Sequence, residues 1–447
     1  MKIILPAEVL YIIETLRNNG YQAYPVGGCV RDALLGSKPA DWDICTSALS
    51  AEIKTCFAKH KLIETGIKHG TITLLLANKP YEITAYRLDG PYDDNRHPRR
   101  VEYINDLKTD LARRDFTVNA LAYDPDAGLI DYFGGGADLQ NGIIRCVGNA
   151  QQRFQEDGLR IMRALRFAAT LGFEIETSTA EALLANRALL SNISAERIIA
   201  ELNKLLSGKN VETVMLDYRA VFAVIIPELE PLIGFEQNSR YHHLDVYQHT
   251  ICSVSNAPAD PLLRLTLLLH DIAKPACYSQ VEMTGHFYGH SQVGTEIARR
   301  ILRRLKYDKR TVETVCELIK YHDTELLATD KNIKHWLNKL GLTTYRQLLA
   351  VKRADSLAHA QAYQNDRLTV LDEILPLIEK IVATNQCFSL RDLAINGHDL
   401  LALSIPPGKE LGMILRELLS QVISGTLVNQ KPELIARAGE LYKKFLQ

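Results

Sequence analysis

The sequence predicts an α+β multidomain protein, in which a head with a mixed sheet and helices is followed by regions that are all-α. Two observations support this prediction. Short β-like runs such as TITLLLA, YEITAYRL and LIDYF, separated by Gly, Pro and Asp, occupy the first part of the chain. Beyond GGGADLQNGIIRCVG the apolar residues recur at helical spacing, beginning with EDGLRIMRALRFAATLGF, and continue so almost to the end.

The elements follow in a simple order. A head is expected over residues 1–145, opening with an amphipathic helix, and a helical neck over 146–225. Pro227, Pro231 and the polar stretch EQNSRYHH mark the next break, so a histidine-rich helical body is expected over 226–375. The segment CFSLRDLAINGHDLL introduces a helical tail over 376–447.

Composition narrows the class of protein. The 447 residues are 47% hydrophobic, enough for several cores, and the net charge of -1 means that any nucleic acid must be held by local basic patches. The eight cysteines lack a Cys-x-x-Cys pair, which favours reduced thiols and a cytoplasmic protein. No stretch approaches the roughly 20 apolar residues of a membrane span, so no membrane partner is expected.

The segment YPVGGCVRDALLG is typical of a strand that ends at Gly27 and Gly28 and runs into a helix carrying Arg31. Such a turn lets backbone N–H groups approach a triphosphate closely. In the following DWDI, strand alternation would point Asp41 and Asp43 to one face, where they can hold Mg²⁺ for phosphoryl transfer. A common Gly-Gly turn and an ordinary acidic loop are the competing interpretations.

Glu82 in YEITAYR is a third candidate catalytic acid. It is expected mid-strand among apolar neighbours, where an unpaired charge would be costly. An ion pair with Arg87 or Lys79 is the alternative.

Four segments now stand in order: GGCVRD with DWDI, RRDFTVNALAYD, EDGLRIMRALRF and ISAERIIAELNKLL. In this order and spacing, over nearly the whole chain, they resemble class II tRNA nucleotidyltransferases, the CCA-adding enzymes of the polymerase β superfamily. The resemblance implies a polymerase β-like head that uses Mg²⁺. It also implies template-independent addition of C, C and A to the 3' end of tRNA from CTP and ATP, with release of pyrophosphate.

The resemblance implies that the RRDFTVNA motif recognises the ribose. The matching residues are Arg113, Arg114, Asp115 and Asn119. Arginine can grip phosphate bidentately, while Asp and Asn can bond the ribose hydroxyls. The alternative is that Arg114 and Asp115 only cap and charge a helix terminus.

The EDGLR segment is predicted to select the base of the incoming nucleotide. Cytosine and adenine each present an amino donor beside a ring-nitrogen acceptor, so an Asp that accepts and an Arg that donates select both. Asp157 and Arg160 are three apart on a predicted helix, with Glu156 available to orient the arginine. Arg163, in the same segment, is also predicted to bind the nucleotide. A surface i,i+3 ion pair between Asp157 and Arg160 is the alternative.

Two further segments fit the resemblance. LDGPYDDNRHPRRVEYINDL is expected to be a mobile loop whose presence implies that the terminal A can be added, although Arg96, Arg99 and Arg100 can equally be a solvated charge cluster. The tail resembles the family's tRNA-contacting region and lacks the strongly basic extension of bacterial poly(A) polymerases. Its candidate phosphate contacts, or plain solubilising charges, are Lys409, Lys431, Arg437, Lys443 and Lys444.

Histidines and acids recur in LDVYQHT, LLLHDIAKP, YGHSQVG, YHDTEL and KRADSLAHA. This order resembles the HD phosphohydrolase domain, whose metal ligands come from separate helices. The implied ligands of one ion are His249, His270, Asp271 and Asp355, and His290 and His322 complete a second. Imidazole with carboxylate suits Ni²⁺, Mn²⁺, Fe²⁺ or Zn²⁺, with Mg²⁺ also admissible, and Lys274 is placed to contact a phosphate. Hydrolysis of 2',3'-cyclic or 2'-phosphates is the implied activity; satisfied core histidines are the alternative.

Other functions stay open, among them a pure binding protein, which would leave two full sets of candidate metal ligands unexplained. An enzyme that adds only the terminal A shares every motif above, and a poly(A) polymerase shares the head. An HD phosphohydrolase with a tRNA-binding head belongs to a different class, and intact Asp41 and Asp43 argue against it. The expected partners are tRNA, CTP and ATP, and the sequence does not predict the oligomeric state.

Overall fold

The computed structural model describes residues 3–67, 70–90, 100–241 and 243–445. The chain forms two compact units, Met1–Glu230 and Pro231–Gln447. The first combines a five-stranded sheet with helices, and the second is mainly helical. The predicted α+β class is therefore confirmed.

The first unit opens with helices around short strands. Its strands are β1 (Ala23–Pro25), β2 (Asp43–Thr46), β3 (Lys61–Ile63), β4 (Thr71–Leu76), β5 (Lys79–Ala85), β6 (Arg87–Asp89), β7 (Val101–Tyr103), β8 (Leu121–Asp124), β9 (Gly128–Asp131), β10 (Ile143–Ile144) and β11 (Glu174–Ile175). The helices among the first ten strands are α1 (Ala7–Asn18), α2 (Gly28–Leu34), α3 (Ser50–Cys56), α4 (Leu107–Ala112) and α5 (Gly135–Asn141).

The main sheet has the strand order β1-β2-β5-β4-β3, in which β2 and β5 are parallel and the other pairs antiparallel. One face is apolar, because Tyr81, Ile83 and Ala85 of β5 are buried there. Helices α1 and α3 supply Ile13 and Ile53 to the same core. Alternation along β5 leaves the opposite face for polar side chains.

The rest of the first unit is helical apart from the short β10–β11 pair. Its helices are α6 (Ala150–Glu156), α7 (Leu159–Leu171), α8 (Thr177–Asn186), α9 (Ala195–Leu206), α10 (Val211–Asp217) and α11 (Arg219–Ile225). The helical pattern EDGLRIMRALRF is thus interrupted: α6 ends at Glu156 and α7 begins at Leu159.

The second unit holds the remaining helices. They are α12 (Val246–Asn256), α13 (Pro261–Leu269), α14 (His290–Arg304), α15 (Lys309–Tyr321), α16 (Asp330–Leu357, broken at Gly341), α17 (Gln364–Ala383), α18 (Gly397–Ala402), α19 (Lys409–Ser424) and α20 (Lys431–Phe445). The expectation of a body without strands was wrong, because β12 (Ser279–Val281) and β13 (Thr284–His286) form an antiparallel hairpin.

The last three helices have a core of their own, in which Leu400, Ile414, Leu418 and Leu434 are buried. Across the described ranges, no helix is both long enough and apolar enough to cross a bilayer.

Candidate functional site

The Gly27 turn joins β1 to α2, as the sequence predicts. Gly27 has φ +84° and ψ -131°, a combination that only glycine adopts easily. Its N–H donates to the Leu121 carbonyl at 2.9 Å, and its carbonyl accepts from the Arg31 N–H at 3.1 Å. A Cβ at this position would lie 2.7 Å from Arg114 Nη1, so glycine also leaves room for that guanidinium. A Cβ on Gly28 would meet only Arg31, at 3.6 Å.

Three carboxylates gather beside this turn. Asp43 begins β2 and lies directly opposite Glu82 of β5, so the two side chains share a face of the sheet. Burial, Asp41 and Glu82 raise the pKa of Asp43 to about 6, while Arg114 opposes the rise. A group that is costly to ionise beside two other acids is suited to bind a cation.

Two expectations for these acids were wrong. Asp41 precedes the strand instead of lying in it, and its side chain is exposed. Glu82 is exposed rather than buried, because it lies on the outer face of β5. It makes no ion pair with Arg87 or Lys79, two described residues; Arg87 instead contacts Asp89 at 3.1 Å.

Arg114 is the cation of this cluster. It lies next to Gly27 and close enough to Asp43 to lower the pKa of that carboxyl. Its Nε is buried without a hydrogen-bond partner, and none of the acids that the structure describes forms an ion pair with it. A guanidinium with uncommitted donors at a Gly turn is equipped to receive a phosphate.

The other predicted ribose-site residues form a connected network. Arg31 Nη1 donates to Asn119 Oδ1 at 2.5 Å, and Asn119 Nδ2 donates to Asp115 Oδ1 at 3.0 Å. Arg163 Nε and Nη2 lie 2.7 and 2.6 Å from Asp115 Oδ2. Burial opposes ionisation of Asp115, but Arg163 and Asn119 outweigh it and lower its pKa to about 2.

The network limits what Asp115 can do. Asp115 Oδ1 already accepts from the Phe116 N–H at 2.8 Å and from Asn119, while Oδ2 accepts from Arg163 Nε and has Arg163 Nη2 2.6 Å away. A carboxylate has about four acceptor positions, so these are occupied. Asn119 keeps one amide N–H and one lone pair, which makes it the better placed of the two to meet a ribose hydroxyl.

Arg113 has a different position. It ends α4, pairs with Asp110 at 2.8 Å, and its carbonyl accepts from Arg160 Nη2 at 3.0 Å. The helix-terminus interpretation therefore fits Arg113, whereas Arg114 and Asp115 lie beyond the helix. Arg100 contributes its carbonyl to a 2.8 Å bond from Gly90, while Arg96 and Arg99 lie outside the described residues.

Asp157 and Arg160 do not share a helix, so that expectation was wrong. Asp157 lies in the break between α6 and α7, where Oδ1 accepts from the Leu159 N–H at 3.0 Å. Its Oδ2 accepts from Arg197 of α9 at 2.8 Å. The i,i+3 ion pair is also wrong, because Asp157 pairs with Arg197 and Arg160 with Glu156.

Arg160 is held as predicted by Glu156, whose Oε2 accepts from Nη1 at 2.7 Å. Nη1 also donates to the Arg153 carbonyl at 3.1 Å, and Nη2 to the Arg113 carbonyl. Of five guanidinium N–H groups, Nε–H and one Nη2–H stay available. The break thus presents a fixed donor and a fixed acceptor.

In the second unit, the six predicted metal ligands come together from five helices or their ends. The Nε2 atoms of the four histidines surround Asp271. His249 and His270 lie 3.6 and 3.1 Å from its Oδ2, while His290 and His322 lie 3.5 and 3.8 Å from its Oδ1. Asp355 Oδ1 completes the first group, 2.9 Å from His249 and 3.5 Å from His270.

Each imidazole is oriented by a backbone carbonyl at its other nitrogen. His270 Nδ1 lies 2.6 Å from Leu267 O, His290 Nδ1 2.8 Å from Phe287 O, His322 Nδ1 2.7 Å from Ile319 O and His249 Nδ1 3.3 Å from Ala358 O. A carbonyl contact at Nδ1 fixes the tautomer with Nε2 free to bind a metal. Four histidines with this arrangement are difficult to explain as ordinary core residues.

The charges of this cluster also suit a cation. Burial opposes protonation of His270, but Asp271 and Asp355 outweigh it and raise its pKa to about 10. His270 Nε2 and Asp271 Oδ2 are both buried and lie 3.1 Å apart. Imidazoles and carboxylates fit Mn²⁺, Ni²⁺, Fe²⁺ or Zn²⁺ at two adjoining positions. Lys274 Nζ contacts Asp271 at 2.7 Å and Gln237 at 2.8 Å.

Sequence reasoning missed two residues of these sites. His359 groups with His249 and Asp355. Its position four residues after Asp355 on a helical pattern was the available signal. Glu201 of α9 is buried and pairs with Arg166 at 2.6 Å and Arg163 at 4.0 Å, and no local pattern indicated it.

The tail cations are mostly at the surface. Lys409, Lys443 and Lys444 are exposed. Lys431 pairs with Asp399 at 2.6 Å and Arg437 with Glu440 at 2.6 Å, which reduces their availability to phosphates.

Family comparisons agree with this arrangement. Residues 23–145 match the family model "Poly A polymerase head domain", 172–233 "Probable RNA and SrmB- binding site of polymerase A", and 287–438 "tRNA nucleotidyltransferase domain 2". The last range includes His290, His322 and Asp355 but begins after Asp271.

Relatives match over almost the full length. The CCA-adding enzyme of Lactiplantibacillus plantarum is 34% identical over 444 residues, covering 96% of each chain. That of Ligilactobacillus salivarius is 34% identical over 448 residues, covering 98% of this chain and 97% of the relative. The crystal structure of the Bacillus stearothermophilus CCA-adding enzyme in complex with CTP superposes with a TM-score of 0.71 at 28% identity, covering 99% of each chain.

The head fold, its acidic cluster and its Gly turn define a nucleotidyltransferase. At 34% identity over nearly the whole length of curated relatives, the chain belongs to the family of class II CCA-adding enzymes.

Proposed function

We propose that this enzyme adds C, C and A to the 3' end of tRNA, using CTP and ATP and releasing pyrophosphate. The observation that carries the proposal is the group formed by Asp41, Asp43 and Glu82 facing the unpaired Arg114 at the Gly27 turn. The relatives, which are CCA-adding enzymes, and the family model for tRNA nucleotidyltransferase over 287–438 support tRNA as the acceptor. The CTP complex of the Bacillus stearothermophilus relative supports the nucleotide.

The proposed chemistry is an in-line transfer. The 3'-hydroxyl of the RNA loses its proton to solvent and its oxygen forms a bond to the α-phosphorus, while the bond from that phosphorus to the bridging oxygen breaks and pyrophosphate leaves. Asp41 and Asp43 would hold Mg²⁺, which lowers the pKa of the attacking hydroxyl and neutralises the leaving group when bound. Arg114 contacts the triphosphate through its uncommitted donors, and Asn119 contacts the ribose.

Base selection is proposed at the break between α6 and α7. Arg160 donates to the ring nitrogen of C or A, and Asp157 accepts from the amino group. Because Glu156 and two carbonyls fix Arg160, the donor cannot turn to suit uracil or guanine. Within this proposal, 1–145 is the catalytic head, 146–225 the selecting neck, 226–375 the metal-binding body and 376–447 the tRNA-contacting tail.

The test is to offer tRNA lacking its 3' end with CTP alone, ATP alone, and both. Addition of CCA with both nucleotides is expected, and Asp43→Asn should abolish it. Incorporation of A only on tRNA ending in CC would replace the proposal with an A-adding enzyme. Long homopolymeric A on unrelated RNA would indicate a poly(A) polymerase instead.

A second activity is favoured by the convergence of four Nε2 atoms on Asp271. We propose that the body hydrolyses 2',3'-cyclic or 2'-phosphates: a water oxygen bonds to phosphorus, one ribose–phosphate P–O bond breaks, and the released ribose oxygen takes a proton. The cluster would hold Ni²⁺, Mn²⁺, Fe²⁺, Zn²⁺ or Mg²⁺, which polarises the phosphate when bound. The intact head acids disfavour a hydrolase whose head only binds tRNA.

Turnover of 2',3'-cyclic AMP by the full chain, supplied with Ni²⁺, Mn²⁺ or Mg²⁺ in turn, tests this second activity. His270→Ala should abolish turnover and leave CCA addition intact. No turnover with any of these ions, or turnover unchanged in His270→Ala, contradicts the proposal.

A further inference from the structure

We propose that the cavity beside the histidine cluster is a nucleoside phosphate site, in which Tyr288 stacks on the base and Arg367 binds the phosphate. This inference rests on the proposed hydrolase and narrows its substrates to phosphate esters that carry a base. Neither residue belongs to the metal-binding set.

The cavity has a volume of about 330 Å³, within the usual range of small-molecule sites. Its inner wall carries the metal-binding Asp271, His290 and His322. Tyr288 and Arg367 line the same cavity. A bound molecule can therefore meet the metal cluster, an aromatic ring and a guanidinium together.

Tyr288 forms an aromatic platform at the cavity. It is 75% exposed, yet its ring is stacked on His286, with centroids 5.3 Å apart and an interplanar angle of 8°. The hydroxyl lies 3.4 Å from His286 Nδ1, which helps to fix the pair. An exposed ring held in place is suited to stack a nucleobase, because stacking accepts any base.

The backbone ties this platform to the metal cluster. Tyr288 is joined to His290 by Gly289, whose φ of +75° forms a sharp turn before α14. On the other side of Tyr288, the Phe287 carbonyl is 2.8 Å from His290 Nδ1. The platform and the ligand His290 consequently belong to one four-residue segment, so a base on Tyr288 lies near a phosphate at the metal.

Arg367 is the cation best placed for the phosphate. It extends from α17, and its Nη1 lies 3.3 Å from His359 Nε2. No acid within the described ranges forms an ion pair with it, whereas Lys274 is bound to Asp271 and Gln237. Arg367 also borders a neighbouring cavity of about 360 Å³, so the guanidinium has room to move toward a ligand. A guanidinium can bind two phosphate oxygens at once.

The experiment compares two ligands that share a phosphate and differ in the base. Equilibrium dialysis against the full chain in EDTA, where the proposed metal-dependent hydrolysis cannot consume the ligand, measures the Kd of adenosine 2'-monophosphate and of glycerol 2-phosphate. Tyr288→Ala should weaken adenosine 2'-monophosphate roughly ten-fold, from the loss of one stacked base, and leave glycerol 2-phosphate unchanged. Arg367→Ala should weaken both ligands by a similar factor.

Two control variants distinguish loss of the Tyr288 ring from a general disturbance of the fold. Tyr288→Phe keeps the ring and should bind like the wild type. Met283→Ala removes an 84% exposed side chain from the turn of the β12–β13 hairpin, which precedes Tyr288, and should change neither Kd. The nucleotide site of the head is identical in all variants, so differences among them report on the body.

Equal affinity of Tyr288→Ala and wild type for adenosine 2'-monophosphate overturns the base platform, even if 2',3'-cyclic AMP is hydrolysed. Unchanged binding of both ligands in Arg367→Ala overturns the phosphate contact. If the wild type binds as expected but hydrolyses nothing, the hydrolase proposal fails and the binding site stands. Circular dichroism melting confirms that each variant is folded.

Discussion

Gly27→Ala tests whether the Gly turn exists to admit Arg114. The substitution imposes two separable penalties. One is backbone strain, because φ is +84° at this position. The other is a steric conflict, because the new Cβ would lie 2.7 Å from Arg114 Nη1 and must displace it.

The two penalties differ in what they change. Strain at a positive φ costs about 1–3 kcal/mol of folding stability and is felt with or without nucleotide. Displacing Arg114 would remove the proposed charge-assisted contact to the triphosphate, worth about 1.5–3 kcal/mol, or roughly 10- to 150-fold in affinity. Backbone strain therefore lowers the melting temperature, whereas displacement of Arg114 raises the KM for nucleotides.

Gly20→Ala is the matched control. Gly20 has φ +86° in the same unit, and nothing lies within 4 Å of a Cβ built there. Both variants should lose stability in thermal unfolding. Only Gly27→Ala should raise the KM for CTP and ATP, by at least about ten-fold, in steady-state CCA addition. A KM within two-fold of wild type in Gly27→Ala, or an equal rise in Gly20→Ala, would refute the role given to Arg114.

Three further outcomes follow from the head and neck. Asp115→Asn should lower the free energy of unfolding at pH 7 by about 2 kcal/mol, since its pKa is about 2 in the fold against an ordinary 3.8. In denaturant titrations this difference should persist above pH 5 and vanish as pH falls through 4 to 2, whereas Asp126→Asn, whose side chain is 88% exposed, should change little. The pKa of Asp43, about 6, predicts that Mn²⁺ affinity of the head falls as pH decreases through 6. Calorimetric titrations of the wild type and of Asp43→Asn separate the head from the histidine cluster, and a head affinity that stays constant from pH 7 to 5 would contradict this. Glu156→Gln frees Arg160 and should reduce the preference for CTP over UTP roughly ten-fold in kcat/KM, while equal loss with both nucleotides would assign Glu156 to folding alone.

Much of the head was predictable, because its chemistry lies in contiguous motifs. The strand–turn–helix at Gly27 and the contact from Glu156 to Arg160 both follow from local spacing. Glu82 was misjudged, although Tyr81, Ile83 and Ala85 show the alternation that places it outward. That Glu82 lies opposite Asp43, by contrast, depends on the parallel pairing of β2 with β5, which no local pattern reveals.

The break at Asp157 shows where spacing fails. Residues three apart suggest one continuous helix face. The observed break is stabilised by Arg197, 40 positions along the chain, on α9. Likewise, the six candidate metal ligands were predicted from their types and order, but their arrangement around Asp271 comes from the packing of separate helices.

The carbonyl contacts of the histidines have a consequence for how this centre tolerates change. Three of the four imidazoles are oriented by the carbonyl three residues earlier, within their own turn of chain. Each of these three imidazoles is therefore oriented by its own turn of chain. Its Nε2 faces Asp271 without help from a bound ion or from the other histidines. For the proposed metal site, removing one histidine should therefore lower metal affinity and leave the other imidazoles oriented as they are.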